Sequence, residues 1–170
     1  MEKRNVTVSA MVAAIVLIGD QLSKHWAETW LRTNGEYKIW DGVLHLRYVE
    51  NRGAAFGMMQ GGKWFFLAIT GIACAAMLYF LIKERKRLHF MMTFSLALLL
   101  SGAIGNLIDR VALGYVRDMI YVALIDFAVF NVADMAVTVG CCLLVLDLLF
   151  FKGKKYMEMM DKKPQTGENS

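Results

Sequence analysis

The polar residues that could do chemistry cluster at the ends of long apolar stretches. They close the first and third stretches, occupy the segment after the third and open the fourth. The set comprises Asp20, Lys24, Asn106, Asp109, Arg110, Asp118, Asp126, Asn131 and Asp134. Ionisable groups within a membrane span are energetically costly and usually functional. Their shared position favours a polar site over a scatter of unrelated charges.

Each of these residues also has a purely structural interpretation. Asp20 and Lys24 have the i,i+4 spacing of a helical ion pair. Asn131 and Asp134 have the spacing of a helix N-cap and its N3 carboxylate. The pair at positions 109 and 110 could extend from a span boundary to water. Only the residues taken together indicate a site.

The available residue types restrict the chemistry of such a site to carboxylates. His25, His45 and His89 are far apart in the sequence, which does not suit a zinc centre. We find no serine with a suitable histidine base and no phosphate-binding glycine loop. The cysteines, at positions 74, 141 and 142, fall within apolar runs, where we expect them to be buried. Two facing aspartates can share one proton, so that one activates water and the other protonates a leaving group. That chemistry needs neither a metal nor a cofactor.

The elements that must position these residues are membrane spans. The 170-residue chain is 57% hydrophobic and 20% charged, which excludes an ordinary water-soluble domain. A helix needs about 20 residues to cross the hydrocarbon core. We predict an all-α integral membrane protein with four transmembrane helices, at about 6–26, 64–82, 90–108 and 132–151. They form a single membrane domain, 1–151, followed by a polar cytoplasmic tail, 152–170.

The distribution of basic residues predicts the orientation. The N-terminus, the connection between the second and third spans and the tail together contain eleven lysines and arginines. The opposite side contains eight, of which seven lie in its longer loops and one is Lys24 near the end of the first span. Because cytoplasmic segments are enriched in lysine and arginine, we expect both termini in the cytoplasm. The loops at 27–63 and 109–131 then face outward, with the polar site near the outer face. The net charge of +4 accordingly predicts contact with membrane lipid and no nucleic acid.

The first outward loop is too long to be a simple connector. Asp41-Gly42 is a turn signal, and apolar and polar residues alternate after it. This pattern predicts a small extracytoplasmic β element. The glycine-containing stretch at 51–57 follows, and its small residues would let the backbone approach another group closely.

Five stretches, in this order, resemble the bacterial lipoprotein signal peptidases, also called type II signal peptidases. They are Asp20–Lys24, Asn51–Gly57, Gly102–Arg110, Gly114–Asp118 and Phe130–Asp134. The resemblance covers essentially the whole chain. It implies an aspartic endopeptidase of the bacterial plasma membrane that removes signal peptides from prolipoproteins, just before a diacylglyceryl-modified cysteine. It also implies sensitivity to globomycin-type cyclic peptide inhibitors.

The resemblance implies that Asp118 and Asp134 are the catalytic pair. The residues to which it gives substrate-binding or supporting roles are Asp20, Lys24, Asn51, Gly53, Ala55, Phe56, Asn106, Asp109, Arg110, Asn131 and Ala133. It implies no metal and no cofactor.

The chain departs from the family pattern beside the predicted catalyst. The family often has two valines before this aspartate, whereas here Val116 is followed by Arg117. Adjacent side chains of an extended segment point to opposite faces, so we expect Arg117 to face lipid headgroups or water. Asp126 is a rival to Asp118, and we interpret it as structural or surface-exposed.

Two other classes of function stay open at this point. One is a proton-coupled membrane transporter that uses interfacial carboxylates, and the other is a non-catalytic membrane scaffold. No acidic residue falls in the middle of a span and no inverted repeat is visible, which argues against a transporter. Cleavage of a lipidated substrate would distinguish all three classes.

Overall fold

The structure, a computed structural model, describes residues 2–53 and 63–151. Its helices are α1 (Glu2–Trp26), α2 (Arg32–Asn34), α3 (Lys63–Glu84), α4 (Phe90–Ala112) and α5 (Val132–Phe150). A π-helical segment, Ala27–Leu31, joins α1 to α2. The strands are β1 (Tyr37–Trp40), β2 (Leu44–Asn51) and β3 (Val116–Val122).

Four helical stretches within the described ranges are long and apolar enough to cross a membrane. They are Asn5–Asn34, Trp64–Glu84, Phe90–Ala112 and Val132–Phe150. The single proline of the chain, Pro164, lies beyond all of them, so no proline interrupts their hydrogen bonding. Large apolar side chains such as Ile15 and Ile72 are 66% and 70% exposed, as expected for surfaces that contact lipid. The predicted four-helix membrane fold is confirmed.

Helix α4 lies at the centre of the bundle, where it packs against α1, α3 and α5. Its close approach to α5 depends on Gly102. A Cβ atom there would lie 2.4 Å from the Ala133 carbonyl oxygen and 2.8 Å from Cγ2 of Val137. Small residues allow such backbone contacts between helices in lipid. This crossing brings the N-terminus of α5 against α4.

The strands β1 and β2 form an antiparallel hairpin around the predicted turn. Gly42 has a φ of 72°, a conformation that side-chain-bearing residues rarely adopt. The Val43 N–H closes the turn by donating to the Trp40 carbonyl oxygen at 3.0 Å. The β element predicted in the first loop is therefore confirmed.

A third strand, β3, comes from the segment after α4 and pairs antiparallel with β2. The sequence pattern predicts a β element in the first loop only and does not indicate this strand. Because β2 and β3 are far apart in the chain, no local turn signal indicates that they pair. Met119 of β3 packs on Ala27 and Leu31, and this contact fixes the sheet to the π-helical segment.

The three cysteines differ in their surroundings. Cys74 is buried, whereas Cys141 and Cys142 are exposed. The buried residues of α5 include Ala136 and Gly140 on one face only, so the neighbouring cysteines lie on the lipid-facing surface. The expectation that all three would be buried is wrong for these two.

Candidate active site

A cavity of about 520 Å³ lies where the sheet meets the ends of α4 and α5. Its polar lining consists of Asn51, Asn106, Arg110, Asp118 and Asp134. The remaining wall is mostly apolar. It is formed by Gly53, Val116, the segment Phe127–Phe130, and Met135, Val137, Thr138 and Val139 of α5. A few converging polar groups in an apolar cavity are typical of a binding or catalytic site.

Asp118 projects from β3 and is 1% exposed. Its Oδ1 accepts a hydrogen bond from Asn131 Nδ2 at 2.5 Å, and its Oδ2 accepts one from Asn51 Nδ2 at 3.0 Å. Burial raises the pKa of Asp118 to about 7, and the negative charge of Asp134 acts in the same direction. The two amide donors oppose this rise, because they stabilise the ionised carboxylate. The surroundings of Asp118 therefore favour its protonated form.

Asp134 lies in the first turn of α5. Its Oδ2 accepts from the Asn131 N–H at 3.2 Å, while Asn131 Oδ1 accepts from the Asp134 N–H at 3.0 Å. These reciprocal bonds are a capping box, as the residue spacing predicts. The other oxygen, Oδ1, accepts from Asn106 Nδ2 at 2.7 Å. The cap and the cavity thus use the same carboxylate, so its structural and chemical interpretations are compatible.

Three asparagines orient the two carboxylates, and the orientation of each amide is itself fixed. Asn51 Oδ1 accepts from the Gly53 N–H at 3.0 Å, which turns its Nδ2 towards Asp118. Asn131 Oδ1 caps α5, which turns its Nδ2 towards Asp118 as well. Asn106 Oδ1 accepts from Asn131 Nδ2 at 3.2 Å, which leaves the Asn106 donor for Asp134. The donors at the site are therefore preorganised.

Lys24 is fully buried and determines the orientation of Asn106. Its Nζ lies 2.9 Å from Asn106 Oδ1 and 2.8 Å from Asp20 Oδ2. Because an ammonium group only donates, it requires the oxygen of the Asn106 amide on its side. Asp20 Oδ1 also accepts from the Ala133 N–H at 2.9 Å. Asp20 and Lys24 thus connect α1 to both helices that surround the cavity.

Arg117 is 9% exposed and does not face headgroups or water, so the expectation that its side chain would be exposed is wrong. Its Nη2 donates to Asp109 Oδ1 at 2.8 Å and its Nη1 donates to Glu28 Oε2 at 2.9 Å. It does lie on the strand face opposite Asp118, as alternation predicts. That face is covered by α1, the π-helical segment and α4, which the sequence pattern of β3 alone could not reveal.

The structure brings most of the predicted site residues together. Asn51, Gly53, Asn106, Arg110, Asp118 and Asp134 line the cavity, and Asp20, Lys24, Asp109, Asn131 and Ala133 belong to the hydrogen-bonded layer beside it. Ala55 and Phe56 lie outside the described residues. Asp126 is exposed and accepts a hydrogen bond from the Tyr121 hydroxyl at 2.6 Å, away from the cavity lining. No group of three or more His, Cys, Asp or Glu side chains in the described ranges is placed to hold a metal ion.

Two polar residues beside the site, Glu28 and Gln21, and one apolar segment of the cavity wall are not among the residues that the sequence predicts for the site. Glu28 lies in the π-helical segment and follows Asp20 and Lys24 at a further four-residue step, so helical spacing places it on the same helical face as those two residues. Gln21 bridges Arg117 Nη2 and the Gly105 carbonyl oxygen, at 3.2 Å to each. The apolar segment Phe127–Phe130 had no comparable signal, because its role as a cavity wall depends entirely on tertiary structure.

The chain is similar to known proteins over most of its length. A family model described as signal peptidase (SPase) II matches residues 12–150. A lipoprotein signal peptidase from Streptococcus thermophilus is 46% identical over 142 residues, which cover 83% of this chain and 92% of the relative. One from Clostridioides difficile is 44% identical over 141 residues, with coverage of 82% and 94%.

A solved structure also resembles this chain closely. It is a bacterial membrane enzyme determined by the in meso method at 2.3 Å resolution. The TM-score is 0.78 and the sequence identity is 33%, with 95% of each chain covered. Together with its four span-capable helices, this likeness makes the chain a multi-pass membrane protein.

Proposed function

This chain belongs to the signal peptidase II family, and we propose that it cleaves prolipoproteins just before the diacylglyceryl-modified cysteine, with Asp118 and Asp134 as its catalytic pair. The observation that carries the assignment is that both carboxylates line one cavity and are held there by amide donors. Membership of a peptidase family favours this function over a proton-coupled transporter or a scaffold.

In the proposed reaction the two aspartates share one proton. The ionised carboxylate removes a proton from water, which attacks the carbonyl carbon of the scissile peptide bond. The protonated carboxyl group then delivers its proton to the leaving nitrogen, and the peptide bond breaks. A pKa of about 7 suits Asp118 to this exchange at neutral pH. Because the two groups are coupled, their apparent pKa values belong to the pair and not to either residue.

The apolar wall of the cavity favours a substrate that carries a lipid. Phe127, Met135 and Val139 line the cavity and are 44%, 47% and 48% exposed, so the cavity opens on an apolar surface. We place the acyl chains of the substrate against this surface, in contact with membrane lipid, while the peptide reaches the two aspartates. Holding the scissile bond and water together removes much of the entropic barrier to reaction.

The proposed orientation follows from the charge distribution. Both termini lie in the cytoplasm of a bacterium, and the sheet and cavity lie near the outer face of the plasma membrane. The basic residues clustered on the opposite side of the predicted spans support this orientation. An outward-facing site would meet substrates whose signal peptides have already entered the membrane.

Cleavage of a synthetic diacylglyceryl prolipopeptide by the purified full-length protein tests the assignment. Asp118→Asn and Asp134→Asn should each lower the rate at least about 100-fold, because either change removes a general acid or base. The matched control is Asp126→Asn, which should retain activity within about threefold because the exposed Asp126 side chain is bonded to Tyr121 and is not part of the cavity lining. A globomycin-type cyclic peptide should inhibit the wild-type protein, and the non-lipidated peptide should resist cleavage.

Two results would contradict the proposed chemistry. If Asp126→Asn were inactive and Asp118→Asn active, the catalytic pair would be misassigned. EDTA should leave the rate unchanged, because the reaction uses two carboxylates. A loss of activity in EDTA that a divalent cation restored would instead indicate a metal-dependent enzyme.

A further inference from the structure

Arg117 is a buried cation next to the proposed catalyst. Both oxygens of Asp109 accept from its side chain, Oδ1 from Nη2 at 2.8 Å and Oδ2 from Nε at 3.1 Å. Its Nη1 donates to Glu28 at 2.9 Å, and its Nη2 also donates to Gln21 at 3.2 Å. Its backbone N–H donates to Asp109 Oδ2 at 2.9 Å. A guanidinium with a paired carboxylate and two further acceptors is held in one geometry.

The β-sheet is irregular on one side of Asp118. In the pairing of β2 with β3, Leu46 lies opposite Ile120 but Val49 lies opposite Asp118, so β2 contains one extra residue between these pairs. Such a bulge interrupts the ladder of hydrogen bonds and bends the strand. The bulge therefore adjoins Asp118 on one side, whereas Arg117 and Val116 on its other side keep regular pairing with Glu50 and Asn51.

We propose that Arg117 is a positioning residue that ties β3 to α1 and α4 and thereby holds Asp118 at the correct place opposite Asp134. The inference rests on the proposed function, since it concerns the placement of the proposed catalyst. Adjacent residues of a strand point to opposite faces. The side chain of Arg117 therefore anchors one face of β3 while Asp118 occupies the cavity on the other.

The charges around Asp109 extend the effect of Arg117 to the second aspartate. Asp109 is fully buried, and Lys24 Nζ lies 3.7 Å from its Oδ2. Removing Arg117 would leave Lys24 as the close cation of the Asp109 carboxylate. The Lys24 ammonium group would then be drawn towards Asp109 and away from Asn106 Oδ1, to which it now donates at 2.9 Å. Asn106 would then orient Asp134 less firmly. Loss of Arg117 should accordingly disturb the reacting groups and leave the apolar substrate surface intact.

Steady-state kinetics of the full-length protein in lipid nanodiscs, with the diacylglyceryl prolipopeptide as substrate, tests this proposal. Arg117→Gln should lower kcat at least tenfold while KM changes less than threefold. Arg117→Lys keeps the charge but loses the two-pronged pairing, and should give an intermediate kcat. The matched control, Arg32→Gln, removes an arginine whose side chain is 57% exposed, and should keep kcat within twofold.

A double-mutant cycle with Glu28 separates positioning from general damage. Glu28→Gln should lower kcat about threefold in the wild-type background. It should have no further effect in the Arg117→Gln background, because the two side chains act as one unit. Rates are expressed per folded protein, as measured by thermal unfolding. If Arg117→Gln does not fold, Arg117→Lys and Glu28→Gln decide the matter by the same kcat and KM criteria.

The outcomes distinguish this proposal from the proposed function. If the wild-type protein does not cleave the lipopeptide, or if Asp118→Asn cleaves it normally, the proposed function fails. If the wild-type protein is active, Asp118→Asn is inactive and the Arg117 variants keep kcat within twofold, only the positioning role of Arg117 is overturned. Additive effects of the Arg117 and Glu28 variants would overturn it as well.

Discussion

The Asp118→Asn variant should lack a pH-dependent loss of stability that the buried carboxyl group imposes on the wild-type protein. Burial, followed by the charge of Asp134, raises the pKa of Asp118 from 3.8 to about 7. In the unfolded chain this carboxyl group ionises near its ordinary pKa, so the native protein binds more protons between these two pH values. The stabilisation by protonated Asp118 is fully present below pH 4 and is lost as the pH rises through about 7.

The size of the effect follows from the pKa difference. Stability falls by about 1.4 kcal/mol per pH unit while one proton separates the native and unfolded states. Between pH 5 and pH 8 the ionisation of Asp118 should therefore reduce the free energy of unfolding by roughly 3 kcal/mol. Asp118→Asn has no ionisable group at this position. The hydrogen bonds that it alters shift its stability by a similar amount at every pH, so they leave the slope unaffected.

Reversible unfolding in mixed detergent micelles, followed by tryptophan fluorescence at pH 5, 6, 7 and 8, measures these slopes. The wild-type protein should lose stability as the pH rises, and Asp118→Asn should lose about 3 kcal/mol less over the same range. Asp126→Asn, which alters an exposed aspartate of the same loop, should keep the wild-type slope. Equal slopes for Asp118→Asn and the wild-type protein would refute the reasoning from burial.

Two further predictions concern packing and topology. Gly102→Ala should lower the free energy of unfolding by about 2 kcal/mol, because its Cβ would meet the Ala133 carbonyl oxygen at 2.4 Å. Gly19→Ala, which meets nothing within 4 Å, should leave stability unchanged or slightly improved in the same unfolding assay. In a background without the native cysteines, an impermeant thiol reagent should label Lys38→Cys on intact cells and Lys86→Cys only after permeabilisation. The reverse labelling pattern would place the site on the cytoplasmic side.

Hydropathy and residue spacing were sufficient for the framework of this protein. The four spans follow from long apolar runs, because a helix is the simple way to satisfy backbone hydrogen bonds in lipid. The hairpin follows from Asp41-Gly42, since its turn requires a residue that tolerates positive φ. The capping box of α5 follows from the spacing of Asn131 and Asp134. All three are local signals, and each appears in the structure.

The residue motifs also indicate the chemical groups of the site. The resemblance to the lipoprotein signal peptidases implies Asp118 and Asp134 as the catalytic pair, and the structure places both at one cavity. Their catalytic role stays a prediction until the variants are assayed. The supporting network was identified only in part, because an amide or a lysine near the end of a span gives no indication of which atom will be its partner.

What surrounds Arg117 was decided by the tertiary structure alone. Alternation along β3 correctly separates Arg117 from Asp118, because this rule depends only on the backbone of the strand. It cannot show that the π-helical segment and α4 cover the opposite face with Glu28 and Asp109. The third strand and the apolar wall at Phe127–Phe130 could not be predicted from the sequence for the same reason. Each depends on contacts between distant parts of the chain, and those contacts exist only once the helices have packed.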